Sequence, residues 1–231
     1  DGAESDNIAI GYDAMGNINH DSSTRNIAIG NNAADGMGTL AGSSDNVFMG
    51  YDSGGGTWTT AVSTHNVAIG NFTMDAAMNG ALYNTAVGNA SLGALTTGDY
   101  NAAVGANALN AINTGAGNVG VGQSALSLTQ DGDSNVAIGS YDGTTDAAMR
   151  GNVSASQCVA VGTGAMAAVS TIDGTVAVGY KALNVNTTGS YNTTLGFRTL
   201  HANTVGEYNV AIGYEALKAN VDGDSNVAIG W

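Results

Sequence analysis

Two short acidic runs have the residue types and spacing of a calcium loop. Asp131-Gly132-Asp133-Ser134-Asn135 and Asp222-Gly223-Asp224-Ser225-Asn226 place oxygen donors at alternate positions, as a hard cation requires. Val136 and Val227 stand where such a loop needs glycine, so both runs read first as acidic turns entering a strand. Calcium on Asp131, Asp133, Asp222 and Asp224 is the alternative reading, and no other cofactor is indicated. Gly115-Ala116-Gly117-Asn118-Val119-Gly120 has the spacing of a dinucleotide phosphate loop, but no strand–helix–strand unit surrounds it. His20, His65 and His201 are too far apart to suggest a zinc site or a triad and read as loop residues. Cys158 is the single cysteine, which excludes an intrachain disulfide and fits a small buried residue. No nucleophile–base or paired-acid pattern is present, so no enzyme is expected.

What positions these residues is a repeat. An apolar run, most often Asn-φ-Ala-φ-Gly with φ apolar, recurs along the whole chain. Its closing glycines, from Gly11 and Gly30 through Gly88, Gly105 and Gly122 to Gly213 and Gly230, lie 17 to 20 residues apart, except for a step of 23 from Gly139 to Gly162. Such a period means a stacked solenoid, in which each unit buries its apolar face against the next. Residues 1–231 therefore read as a single array of about 13 coils of 17–23 residues, all-β, a parallel β-solenoid or β-roll. With repeat units at both ends, it reads as a segment of a longer fibre. Twelve steps of about 4.8 Å would make a rod on the order of 58 Å long.

Within a unit such as Asn209-Val210-Ala211-Ile212-Gly213, alternation sends Val210 and Ile212 to one face and Ala211 to the other. Val and Ile are expected to fill the coil. The Ala row (Ala9, Ala28, Ala68, Ala137, Ala177, Ala211) is expected to meet another chain, which predicts a homotrimer about an axis parallel to the rod. Asn7, Asn26, Asn46, Asn66, Asn84, Asn101, Asn118, Asn135, Asn192, Asn209 and Asn226 open the units, with Cys158 and Thr175 in the other two. Stacked, this row can bond amide to amide. The glycine suits a sharp turn or a close approach to a neighbour. Ala-Leu pairs such as Ala182-Leu183 follow and close the coil as a second strand or helical turn; polar Thr, Asn, Gly and Asp then form a connector.

Composition narrows the function. The chain has 19 acids, five Lys plus Arg and a net charge of −14, which argues against nucleic acid and anionic membranes. No apolar stretch approaches the length of a membrane-spanning helix, so no direct membrane insertion is expected.

The Asn-φ-Ala-φ-Gly units resemble the head repeats of trimeric autotransporter adhesins, whose heads are left-handed parallel β-rolls. The longer unit here, as in Tyr191-Asn192-Thr193-Thr194-Leu195-Gly196-Phe197-Arg198-Thr199-Leu200, looks more like the repeats of phage-type tail fibres. The resemblance covers essentially the whole chain and implies a homotrimeric rod, each chain partnered by two identical chains. It implies an extracellular place, on a virion tail fibre that attaches to a host-cell surface glycan or protein. The alternative is the head of a bacterial trimeric adhesin on the outer-membrane surface. A flat ice- or polysaccharide-binding solenoid would need a regular Thr row, and a degrading tailspike would need acids in a groove; neither pattern is present.

Two stretches break the rhythm, Tyr51 to His65 and Ser140 to Gln157. Loops on a rigid scaffold are common binding sites, and Trp58, Tyr51 and Tyr141 are rings that could stack on sugars. Thr59 and Thr60 add hydroxyls beside Trp58. The other reading is bulged coils that pack their own aromatics.

Overall fold

The computed structural model of the chain describes residues 6–18, 23–37, 42–58, 61–151 and 154–231. Contacts divide the chain into two units, Asp1–Ala116 and Gly117–Trp231. The first unit carries β1 (Ile8–Ile10), β2 (Ile27–Ile29), β3 (Val47–Met49), β4 (Val67–Ile69), β5 (Thr85–Val87) and β6 (Ala102–Val104). The second carries β7 (Val119–Val121), β8 (Val136–Ile138), β9 (Val159–Val161), β10 (Val176–Val178), β11 (Thr193–Leu195), β12 (Val210–Ile212) and β13 (Val227–Ile229). Within each unit every strand pairs in parallel with its copy in the next coil, and like positions lie on like. Each unit is thus a parallel β-solenoid with one three-residue strand per coil. A 3-10 turn, Asp35–Met37, is the only helical element among the described residues.

The expected faces are reversed. In the strand centres Ala28, Ala68, Ala86 and Ala103 of the first unit, and Ala137, Ala160, Ala177 and Ala211 of the second, are wholly buried within the chain itself. The flanking residues point outward: Ile69 is 40% exposed, Val104 45%, Ile138 40% and Leu195 50%. Ala9 of β1 is exposed. The reason is the bore of the coil. In most coils the turn position four residues after the closing glycine holds a Leu or Met, as in Met74, Leu92, Leu109, Leu126, Met166, Leu183 and Leu200, all fully buried; in the coil of β2 it holds Ala34. A coil this narrow has room for one large side chain and one methyl, so the small residue must face in.

The Leu or Met comes from a turn rather than a second strand. Lys181 and Leu183, Arg198 and Leu200, and Glu215 and Leu217 all have φ near +50°. Left-handed backbone costs roughly 1–2 kcal/mol for a residue with a side chain. Inter-coil hydrogen bonds offset it: Arg198 N–H donates to Tyr180 O at 2.9 Å, and Leu200 N–H to Ala216 O at 2.9 Å. The closing glycine is demanded by its neighbour: Gly196 has φ +139°, and a Cβ there would lie 2.3 Å from Gly213 O.

The Asn row is a hydrogen-bonded ladder. The Asn84 carboxamide oxygen accepts from both the backbone N–H and Nδ2 of Asn101 at 2.9 and 3.1 Å, and Asn84 Nδ2 donates to Gly98 O at 2.8 Å. The same pattern links Asn7, Asn26, Asn46 and Asn66 to Asn84, and, in the second unit, Asn118 to Asn135 and Asn192 through Asn209 to Asn226. Buried amides are thereby satisfied along each stack.

Candidate functional site

In each unit, outward alternation of strand side chains lines up a row of Val, Ile and Leu that the single chain leaves partly open. The row continues past the closing glycine into aromatics: Tyr180, Phe197 and Tyr214 stack in sequence, with centroids 5.3 Å apart and planes within 16°. On the other side of the strand a second column stands just before the ladder Asn. It holds Tyr191 on Tyr208 in the second unit, and His65, Tyr83 and Tyr100 in the first. The first-unit column begins with ions. Arg25 binds Asp45 through Nε and Nη2 at 2.6 and 2.8 Å, and His65 Nε2 lies 3.8 Å from Asp45. Arg25 therefore holds the Asp45 carboxyl below the usual carboxylate range. These rings face one another and present their edges outward, so the stacks offer few open faces to a sugar.

The ring candidates fall in different environments. Trp58 is a correction: it is wholly buried, edge-on to Phe48 at 5.7 Å, and cannot stack on a ligand. Its burial has a local cause. Phe48 occupies the inward strand position that Ala28 and Ala68 hold in the adjoining coils. Gly54 makes room for it, since a Cβ at Gly54 would lie 2.5 Å from the Phe48 ring. This coil exchanges the usual Ala-and-Leu pair for a large residue on the strand and none on the turn. Tyr51 is 46% exposed and packs edge-on to Phe72 at 5.3 Å. Tyr141 donates its hydroxyl to Gly143 O at 3.1 Å, with the Arg150 guanidinium 5.4 Å above the ring. Thr59, Thr60 and His20 lie outside the described residues.

The 140–157 insertion is anchored. Asp142 Oδ1 accepts from the N–H groups of Thr144 and Thr145 at 2.9 and 2.6 Å, which lowers its pKa. The Thr145 hydroxyl meets Tyr180 Oη at 3.2 Å, two coils on. Gly164 lets the loop pass, because a Cβ there would be 2.9 Å from Thr145 Cγ2.

The acidic turns stay apart. Asp131, Asp133, Asp222 and Asp224 are all exposed, and Asp224 Oδ1 is engaged by Glu207 N–H at 2.8 Å. Among the described residues no group of three or more His, Cys, Asp or Glu is gathered as for a metal ion. The Gly115–Gly120 stretch leads into β7, a strand, where a phosphate loop would open a helix. Cys158 is buried in the Asn row, its N–H donating to Asn135 Oδ1 at 3.1 Å, and burial pushes its thiol pKa up to about 11.

Two features escaped the sequence reading. A second amide ladder joins Asn186, Asn203 and Asn220, with Nδ2 to Oδ1 distances of 2.9 and 3.1 Å. Three cations act on His201, whose imidazole is held below its usual pKa by burial and then by Arg198, Lys181 and Lys218. Their signal was the 17-residue interval itself, which separates Lys181 from Arg198 and His201 from Lys218. No protein-family model matches the chain, and comparison with the curated proteins gives no match.

Proposed function

We propose that the chain is a structural segment of an extracellular trimeric fibre, a virion tail fibre serving host attachment. The observation that carries this reading is the open Val/Ile row, with members such as Val87 at 37% and Val104 at 45% in the first unit, and Val121 at 37% and Leu195 at 50% in the second. An apolar row left partly open along each stack calls for a covering surface of the same period. A second copy of the same chain has that period by construction. A closed ring of copies covers the row on each chain, and three is the number implied by the resemblance to tail-fibre and adhesin repeats. The trimer expected from the sequence is kept, but on the Val/Ile face in place of the Ala face. In this reading the regular coils are the stiff support of the fibre. Light scattering on the purified chain tests it: a mass of three chains is expected, and a stable folded monomer overturns the reading.

A further inference from the structure

We propose that Lys181, Arg198, His201 and Lys218 form an anion-binding site for an acidic surface polysaccharide, taking its phosphate or carboxylate groups. The chain carries five Lys plus Arg against 19 acids, so a cation that finds no carboxylate is unusual here. Arg25 and Arg150 are paired, with Asp45 and Asp146, each at 2.6 Å. The other three lie together on successive coils of the second unit. Lys181 and Arg198 occupy the same turn position one coil apart, linked through Arg198 N–H to Tyr180 O. His201 and Lys218 occupy the next column, with Ala202 N–H bonded to Lys218 O at 3.0 Å.

The local charge is unbalanced. Glu215 binds Lys218 at 2.7 Å and reaches Arg198 only at 4.0 Å. Arg198 Nε is buried and makes no hydrogen bond. Lys181 makes no ion pair among the described residues, its ammonium lying 5.4 Å from the Tyr180 ring centroid. Asp142 is close enough to act on Tyr180, and its Oδ1 is already taken by Thr144 and Thr145. Stacking like charges on neighbouring coils costs stability, as like charges opposite one another on adjacent strands do. An anion bridging Lys181 and Arg198 relieves it with charge-assisted hydrogen bonds. The groups remain accessible: the side chains of Arg198 and Lys218 are 36% and 43% exposed. The Tyr180–Phe197–Tyr214 stack beside them presents apolar edges to the sugar that carries the charge.

The inference deepens the attachment reading by naming a ligand class, and its readout does not depend on trimer formation. The intact chain is tested at low salt on immobilised poly(glycerol phosphate) and polygalacturonate, with dextran as the neutral surface. Retention by either acidic polymer and not by dextran is expected, and the polymer retained identifies phosphate or carboxylate as the group taken. Lys181→Gln with Arg198→Gln should lose about tenfold or more in affinity, the scale of one charge-assisted bond. Glu215→Gln removes the competing carboxylate and should bind tighter, a gain that misfolding cannot mimic. Arg25→Gln, in the other unit, should bind as the parent does. Retention no better than on dextran, or an unchanged affinity in the Lys181/Arg198 double variant, overturns the inference. Light scattering reads assembly separately, so a monomer that binds the polymer would sink the trimer and leave this site standing.

Discussion

At the residue scale, the coil is governed by single positions that admit one size or one backbone geometry. Gly196→Ala combines a left-handed φ with a Cβ 2.3 Å from Gly213 O. We expect a loss of roughly 1–3 kcal/mol, measured by denaturant melts, larger than for an exposed turn glycine such as Gly143, around which nothing lies within 4 Å. Asp35 makes a different prediction. Its Oδ1 is buried without a hydrogen bond, and its pKa is raised by burial and then by Asp52 and Asp13. A carboxyl with a raised folded pKa stabilises the fold below its unfolded pKa of about 4, and that contribution is lost as pH rises through the folded value. Asp35→Asn should therefore melt higher than the parent at pH 7, and the gap should close as pH falls toward about 4. A gap that widens on acidification would contradict this assignment.

At the element scale, most coils pair one large and one small inward residue, and the coil of β3 shows that either side can supply the bulk. Phe48 and Gly54 are complementary, so their substitutions should couple. Phe48→Ala alone opens a cavity worth about 3–5 kcal/mol, and Gly54→Leu alone overpacks the ring. The double variant recreates the Ala-and-Leu pair of coils such as that of β6, with Ala103 and Leu109, and should recover much of the loss, a coupling of about 1–3 kcal/mol in a double-mutant cycle. The left-handed φ at Gly54 (+67°) is matched by φ near +50° at Leu92 and Leu109, so a leucine there meets a backbone the fold already uses. Trp58→Ala should likewise cost about 3–5 kcal/mol by calorimetry or denaturant melt, because the ring is core. Glycan binding lost at full stability would instead restore Trp58 as a ligand contact.

At the scale of the whole molecule, the proposed trimer turns on the outward apolar row. Ile138→Glu alters a side chain that is 40% exposed in the single chain, so the coil itself should survive. If copies cover the row, the variant buries an unpaired charge in each subunit and the trimer should dissociate, read as a fall in mass by light scattering with circular dichroism retained. Ala177→Glu should behave oppositely. Its side chain points into the coil at 0% exposure, so secondary structure and assembly should be lost together. Had the Ala row been the interface, Ala177→Glu would give a folded monomer.

The sequence by itself determined the period, the parallel stack, the position of the strand, and the glycine and Asn rows. These are the residues that touch their own copies in the next coil, and a stack of like on like writes the same letter at every step, as Asn84 and Asn101 do. Only the tertiary structure decided which face is inside. Alternation along Val210-Ala211-Ile212 defines two faces and is silent on which is concave. The curvature comes from left-handed residues such as Glu215 and Leu217, whose φ no side-chain preference announces and whose cost the inter-coil hydrogen bonds offset. The same holds for the cationic cluster. Lys181, Arg198, His201 and Lys218 span 38 positions of sequence, 181 to 218, and meet because two columns of successive coils run side by side. Composition records the five cations; the stacking sets three of them on successive coils.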